Sequence, residues 1–158
     1  MNQIERALKR PFPVAKVSFR AGPGGKELAY ITARDVMDRL DEVFGPEGWQ
    51  TRYEWLGNRM ICYISCRVDG DWISKSDGAD DTQIEAAKGG ISDALKRAGV
   101  LWGIGRLYYH SGCFNANREA AYWATPEGYD ALMDDREDGE IAGWTKELKE
   151  NDKKRNKK

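Results

Sequence analysis

Length, composition and charge set the first limits on this chain. Its 158 residues, 41% of them hydrophobic, suffice for one folded domain with a real core. A single histidine and three cysteines argue against a zinc cluster, and Cys62 and Cys66 lie about 13 Å apart along one strand, too far for a disulfide bond. No apolar run nears the ~18 residues of a membrane span, so we expect a soluble, cytoplasmic protein without a membrane partner.

The net charge of −1 conceals an uneven distribution of charged residues. Residues 1–26 hold six basic side chains and one acidic side chain, whereas residues 127–150 hold nine acidic and three basic ones, followed by a basic run at the end of the chain. This division predicts a polyanionic partner met by one face of the protein, although ordinary scatter of surface charge remains an alternative.

The first elements predicted are a short helix and a short strand. Asn2 is placed to cap a helix that runs to Arg10, where two prolines prevent its continuation. Apolar and polar residues alternate from Val14 to Arg20, which predicts a strand with one basic face. The glycine-rich segment 21–26 precedes no helix start, so we interpret it as a flexible connector rather than a phosphate-binding loop.

A second helix is predicted to begin after Thr32. Thr32 as N-cap and Asp35 three residues later have the spacing of a capping box, and Gly45 ends the helix. Arg34 lies in the first turn, where a cation opposes the helix dipole. Two interpretations stay open: Asp35 compensates the charge of Arg34, or Arg34 and the free N–H groups bind an anion.

Three consecutive strands are predicted at 49–56, 59–68 and 71–76, joined by two-residue hairpin turns. The first turn sets a register that puts four residue pairs on one core face: Trp55 with Met60, Tyr53 with Cys62, Thr51 with Ile64 and Trp49 with Cys66. The other face interleaves cations with aromatic rings, namely Arg52, Arg59, Tyr63, Arg67 and Trp72. That face suits a nucleic-acid strand, a subunit interface, or plain stacking of arginine on aromatic rings.

An acidic segment follows the third strand. We interpret it as a turn and N-cap leading into the next helix. The alternative is a metal-dependent nuclease that uses Asp77, Asp80, Asp81 and Glu85, although their spacing fits neither an EF-hand loop nor a paired-carboxylate core. No other catalytic or metal-binding residue is predicted.

A long amphipathic helix is predicted from Thr82, which has capping-box spacing to Glu85. Its apolar residues lie on one stripe: Ile84, Ala87, Ile91, Ala94, Leu95, Ala98, Leu101 and Trp102. Lys96 and Arg97 fall on the far face, and Arg106 follows the glycines that can end the helix. Two interpretations of Lys96 and Arg97 stay open. They belong to a solvated helix face on which Asp93 pairs with Arg97, or they form a phosphate-binding site.

The structural signals weaken after residue 109. Thr125-Pro126-Glu127 has the pattern of another helix start, and residues 134–158 are charge-rich with few apolar anchors, as is typical of a loose tail. We therefore divide the chain into a main domain at 1–110 and a charged extension at 111–158, partly helical and then disordered.

Two blocks of sequence resemble one family. The first is Ser92-Asp93-Ala94-Leu95-Lys96-Arg97-Ala98 followed by Trp102-Gly103-Ile104-Gly105-Arg106; the second comprises Ala29-Tyr30-Ile31, Leu40–Gly45 and Gly48-Trp49. With three strand-like runs between them, they look like the Rad-fifty-two type of single-strand annealing protein, in particular its phage recombinase branch. The blocks and the spacing between them cover roughly residues 28–109, about half the chain.

The order of the elements predicts an α+β fold: an antiparallel three-stranded meander packed by a long amphipathic helix, with helices and a short strand before it. The resemblance implies the same core and a function. We therefore expect residues 1–110 to be a domain that oligomerises into a ring or filament, binds single-stranded DNA and promotes annealing of complementary strands in homologous recombination and double-strand break repair. The resemblance also implies that the protein is not an enzyme and uses no cofactor. It implies a single-strand-binding protein as a further partner and a location in the cytoplasm of a bacterial or phage-infected cell.

The resemblance also assigns residues. Lys96 and Arg97 match the family's helix-borne phosphate contacts, whereas a further basic residue of the eukaryotic pattern is Val100 here. The family's arginine on the second helix matches Asp35, so that Arg34 stands one place before it. From position and charge we add three candidates for DNA binding: Arg106, Lys88 and Arg52. Beside the nuclease, the remaining alternative is a scaffold that coats single strands without annealing them.

Overall fold

The computed structural model describes residues 2–80 and 86–134, Glu150 and Lys153, except for the side chains of 80 and 86–88. The chain divides into two compact units: a central unit, Ile31–Ile104, and a terminal unit, Met1–Tyr30 with Gly105–Lys158. No helix within the described residues is long and apolar enough to cross a lipid bilayer.

The central unit begins with helix α2 (Ala33–Phe44), which follows α1 of the terminal unit (Gln3–Lys9) in the chain. The predicted capping box is confirmed: the Thr32 hydroxyl accepts from the Asp35 N–H at 3.3 Å, and the Asp35 carboxylate accepts from the Thr32 N–H at 2.8 Å. Gly45, with a φ of 72°, ends the helix as predicted. Val36 and Leu40 are buried on its inner face.

Three antiparallel strands form the sheet of this unit: β3 (Trp49–Leu56), β4 (Arg59–Val68) and β5 (Asp71–Asp80), in the order β3-β4-β5. All four predicted residue pairs of the β3–β4 hairpin are confirmed. The predicted core face is wrong for β3, because Thr51, Tyr53 and Trp55 are exposed and only the β4 members of the pairs are buried beneath α3. The third strand, however, continues to Asp80 instead of ending at Ser76, so the interpretation of Asp77 as part of a turn is wrong. The residues at the end of this edge strand are mostly polar, so they lack the alternation of apolar and polar residues that would predict a longer strand.

Helix α3 (Ala86–Leu101) packs across β4 and β5. Ala94, Leu95, Ala98 and Trp102 are buried as predicted, but Ile91 and Leu101 are exposed, which corrects the predicted stripe at these two positions. Helical spacing keeps both residues in line with Ala94 and Ala98, so the extent of the packing surface, and not the helical period, decides their exposure. Gly99 lies inside the helix, not at its end. The predicted capping residues Thr82 and Glu85, together with Ile84, fall outside the described residues.

The terminal unit starts with α1, whose N–H of Glu5 donates to the Asn2 side chain at 2.8 Å, as predicted. The predicted strand from Val14 is half wrong: Val14–Lys16 is a 3₁₀ turn closed by a Val17 N–H bond to the Val14 carbonyl, and strand β1 is Ser18–Ala21. The predicted connector is a hairpin containing the 3₁₀ turn Pro23–Gly25, and it leads to an unpredicted strand β2 (Glu27–Tyr30) antiparallel to β1.

The described residues after Ile104 include the 3₁₀ turns Arg106–Tyr109 and Tyr122–Ala124 and helix α4 (Pro126–Asp134), which starts where the sequence predicts. A second core forms here among side chains that include Leu107, Trp123, Tyr129 and Leu132. The division of the chain at residue 110 stays a prediction.

Candidate nucleic-acid interface

The two central candidates, Lys96 and Arg97, stand on α3 away from its buried face. Leu95 and Ala98, which flank the pair in sequence, are buried in the core of the central unit. At about 100° per residue, a helix whose inner side is fixed by Leu95 and Ala98 must turn both basic side chains out of the core. Arg97 is exposed and Lys96 is half-buried.

Each member of the pair has a carboxylate neighbour, but not the one that the sequence suggests. Lys96 Nζ lies 3.4 Å from Asp93 Oδ1, three residues back on the same helix. Arg97 Nε lies 3.5 Å from Asp77 Oδ1 on β5. The predicted pairing of Asp93 with Arg97 is therefore wrong, because the extended strand brings Asp77 to the flank of the helix on which Arg97 lies.

These two ion pairs are weak enough to exchange. Both distances exceed the 2.7–3.2 Å range of a good N–H···O hydrogen bond. Ion pairs between partly exposed side chains contribute about 0–1 kcal/mol. Charge-assisted contacts of lysine or arginine to a phosphate are shorter and stronger. The face around Lys96 and Arg97 can therefore take up phosphates in place of its own carboxylates.

Arg34 is exposed in the first turn of α2. It makes no hydrogen bond or ion pair with another residue that the structure describes, because the Asp35 carboxylate is occupied by the Thr32 backbone and hydroxyl. The structure thus contains no ion pair or hydrogen bond between Asp35 and Arg34, contrary to the interpretation in which the two residues pair. The same capping box shows why aspartate suits position 35: a short carboxylate reaches back to Thr32, and an arginine there could not accept those hydrogen bonds.

Arg52 belongs to a closed cluster on the outer face of the sheet. Its guanidinium carbon lies 3.8 Å from the centre of the Tyr63 ring, and its Nη1 lies 3.2 Å from Glu54 Oε2. Hydrogen bonding to Glu54, with a smaller effect of Tyr63, raises the pKa of Arg52. Of the three interpretations of this face, stacking of arginine on an aromatic ring is confirmed for Arg52, and the other two stay predictions.

The remaining candidates lie in other parts of the chain. Arg106 begins the 3₁₀ turn Arg106–Tyr109 in the terminal unit and is half-buried. The side chain of Lys88 lies outside the described part of the chain, although its backbone is helical. Arg34 and the pair lie on helices α2 and α3, which pack against each other.

Lys75 on β5 is a residue that the sequence did not single out. Its Nζ lies 4.7 Å from the centre of the Trp102 ring and donates to the Leu101 carbonyl, the last residue of α3, at 3.3 Å. A cation at the C-terminus of a helix is favourable for the helix dipole. Lys75 lies within the predicted strand, but only the packing of α3 on β5 brings its Nζ to the end of the helix.

Of the four carboxylates of the nuclease alternative, the structure describes that of Asp77. Asp77 lies in β5 beside Arg97, and no group of three or more metal-ligating side chains is found in the part of the chain that the structure describes. Asp81 and Glu85, together with the side chain of Asp80, lie outside it.

The central unit is thus an α+β module in which a β-meander carries one long helix with two adjacent cations turned outward. Over residues 1–123 the chain matches the Rad52/22 family of double-strand break repair proteins, and it belongs to that family. The match extends the resemblance seen in the sequence to the terminal unit, because residues 1–30 are included. The phage branch within the family stays a prediction.

Three relatives agree with this membership. The chain is 32% identical over 117 residues to the single-stranded DNA-binding protein DdrA of Deinococcus deserti and 31% identical over 117 residues to that of Deinococcus radiodurans. These matches take in 69% of this chain and 58% and 56% of the relatives, so the chain spans little more than half their length. It is also 29% identical over 119 residues, 60% of this chain and 21% of the relative, to the DNA repair and recombination protein rhm52 of Pyricularia oryzae.

Proposed function

We propose that this protein binds single-stranded DNA through Lys96 and Arg97 and promotes the annealing of complementary strands in homologous recombination and double-strand break repair. The observation that carries the proposal is the display of this adjacent pair from a core-packed helix in a Rad52/22 family chain. The names of the DdrA relatives, which describe single-stranded DNA binding, and of rhm52, which describes repair and recombination, support it.

The mechanism that we propose is electrostatic and needs no bond chemistry. Lysine and arginine neutralise phosphates and release the counterions condensed on the strand. A helix that is fixed to the sheet holds its cations at set positions, so the bound strand is extended and its base edges remain available. Ordering one strand in advance lowers the entropy cost of aligning its complement. On this proposal the protein is not an enzyme and uses no cofactor.

We further propose that copies of the chain assemble into a ring or filament. β3 and β5 are the two edges of the sheet, and each carries exposed apolar side chains: Trp55 and Leu56 on β3, and Trp72 and Ile73 on β5. Exposed apolar edge strands favour pairing with another chain. Because the two edges are different surfaces, contact between β3 of one copy and β5 of the next is head-to-tail and repeats around a ring or along a filament.

An assembly of this kind would line up one Lys96-Arg97 pair per subunit. The strands that it meets in a bacterial or phage-infected cytoplasm are coated by a single-strand-binding protein, which is the further partner that we propose. Arg34 is a secondary candidate for phosphate binding, since it is exposed and makes no hydrogen bond or ion pair with another described residue.

An annealing assay with and without a chelator separates this function from its two alternatives. Two complementary oligonucleotides, labelled as an energy-transfer pair, are mixed with the protein in Mg²⁺ or in EDTA. We expect faster duplex formation in both buffers and intact strands on a denaturing gel. Binding without acceleration indicates a coating scaffold, and Mg²⁺-dependent cleavage indicates a nuclease; either result contradicts the proposal.

A further inference from the structure

Asp77 of β5 faces Arg97 of α3, and we propose that it is an internal competitor for this arginine. Its carboxylate holds the guanidinium while no strand is bound, and a phosphate of single-stranded DNA then takes its place. This inference rests on the proposed function and deepens it. The basic residues provide the affinity for single-stranded DNA, and the inference adds an acidic residue that limits this affinity.

The geometry of the pair is that of a contact that can be given up. Arg97 Nε and Asp77 Oδ1 are 3.5 Å apart, and 54% of the Arg97 side chain and 34% of the Asp77 side chain are exposed. This separation is too long for a good hydrogen bond, and solvent reaches both groups. Among the described residues no hydrogen bond of the Arg97 guanidinium is present, so its planar set of N–H donors is available to a phosphate.

Asp77 does not depend on Arg97 to stay in place. The Asp77 Oδ1 atom also accepts the N–H of Gly78 at 2.7 Å. The carboxylate therefore keeps a hydrogen-bond donor when the arginine turns away, and its release leaves no buried charge without a partner. A carboxylate fixed in this way on a strand remains beside Arg97 and competes with each phosphate that approaches.

The ion pair between Lys96 and Asp93 differs from that between Arg97 and Asp77 in how firmly its carboxylate is held. Asp93 lies on the same helix as Lys96 and is 60% exposed, so it can swing into solvent with little cost. Asp77 sits on a strand in the sheet and is anchored through Gly78. Together the two acids offset both cations of the face, which accordingly carries little net positive charge before DNA binds.

Asp77→Asn is a clean test because the amide oxygen of asparagine can still accept the Gly78 N–H. The matched control is Asp71→Asn, the same change of charge on the same strand, about 20 Å away at ~3.3 Å per residue and beyond the Debye length of about 8 Å at physiological salt. Arg97→Ala and the double variant Asp77→Asn/Arg97→Ala complete the set. Affinity for a labelled oligo-dT is measured by fluorescence anisotropy at fixed ionic strength.

We expect Asp77→Asn to tighten binding about threefold, the size of one unit charge near a phosphate in a largely solvated site. Asp71→Asn is expected to match the wild type, Arg97→Ala to bind more weakly, and Asp77→Asn to bring no gain once Arg97 is absent. Thermal melts confirm the fold, and Asp77→Ser, which also keeps an acceptor for Gly78, serves as the second variant.

Unchanged or weaker binding of Asp77→Asn overturns the inference, and weaker binding would make Asp77 a positioning residue instead. A gain that persists without Arg97 also overturns it, because the carboxylate would then repel the strand directly. If Lys96→Ala and Arg97→Ala leave binding unchanged, it is the proposed function that fails, which is a separate and distinguishable result.

Discussion

Gly99 of α3 lies so close to Val36 of α2 that a Cβ atom added to the glycine would be 3.0 Å from Val36 Cγ1. Val36 is only 1% exposed, and its branched side chain has little freedom to move aside. The two helices of the central unit thus approach each other through a glycine within the stretch that carries Lys96 and Arg97, and their packing depends on the absence of a side chain there.

Replacing this glycine should destabilise the protein although alanine favours helices. For Gly99→Ala we expect a loss of about 1–2 kcal/mol in the free energy of unfolding, because overpacking against Val36 outweighs the gain of up to ~1 kcal/mol in helix propensity. Gly89→Ala in the same helix is the control, since an added Cβ there meets nothing within 4 Å, and it should be stabilising. Urea unfolding measures both; equal effects at the two sites would contradict this packing.

The buried thiols on β4 should resist alkylation. Burial raises the pKa of Cys62 to about 11 and that of Cys66 to about 12. Because the thiolate is the nucleophile, both groups stay protonated and unreactive at pH 8. We expect no label on either residue after treatment of the folded protein with iodoacetamide, and full labelling in urea, as read by peptide mass spectrometry. Rapid labelling of the folded protein would show that the sheet opens readily at this point.

The ion pair between Glu27 and Arg118 in the terminal unit should make part of the protein's stability depend on pH in the acidic range. Arg118 Nη2 donates to Glu27 Oε1 at 2.6 Å, and this hydrogen bond lowers the pKa of Glu27 from its ordinary 4.5. A lowered pKa in the folded state means that the contribution is complete above pH 4.5 and is lost as the pH falls through the lowered value.

The variant Glu27→Gln tests the predicted direction of this pH dependence. The difference in melting temperature between wild type and variant should be largest above about pH 5 and should shrink toward zero in acid, because both chains then carry a neutral group. Glu47→Gln, an exposed glutamate in the turn after α2, is the control for a general change of charge. A difference that does not vary with pH would show that the ion pair does not set the acid dependence.

The sequence predicts elements best where local chemistry dictates them. The capping box at Thr32 and Asp35 and the β3–β4 register depend on neighbouring residues and a two-residue turn, and both are confirmed. The length of β5 and the pairing of β1 with β2 depend on contacts that short-range patterns do not contain, and both were missed. Asp77 and Gly78, which follow the predicted end of the strand, give no alternating apolar signal.

The same distinction applies to the candidate site. Helical spacing alone places Lys96 and Arg97 away from the core, since Leu95 and Ala98 fix the inner side of α3. Their partners could not be predicted, because Asp77 reaches Arg97 only through the sheet, whereas Asp93 meets Lys96 instead of Arg97. A correct register for the whole of β5 would have revealed Asp77, and with it the competition for Arg97.

The salt dependence of single-strand binding tests the central claim most directly. The variant Lys96→Ala/Arg97→Ala is compared with Lys153→Ala/Lys154→Ala, which removes the same charge from the far end of the chain, by titrating a labelled oligo-dT over a range of salt concentrations. Each phosphate contact contributes about 0.7 to the slope of log K against log salt for single strands, so losing two should lower the slope by roughly 1.4.

We expect the α3 variant to bind much more weakly than the wild type, with this shallower slope and an unchanged melting temperature, while the control variant keeps the wild-type slope. Wild-type affinity and slope in the folded α3 variant at matched salt would contradict the assignment of Lys96 and Arg97 as the phosphate-binding pair.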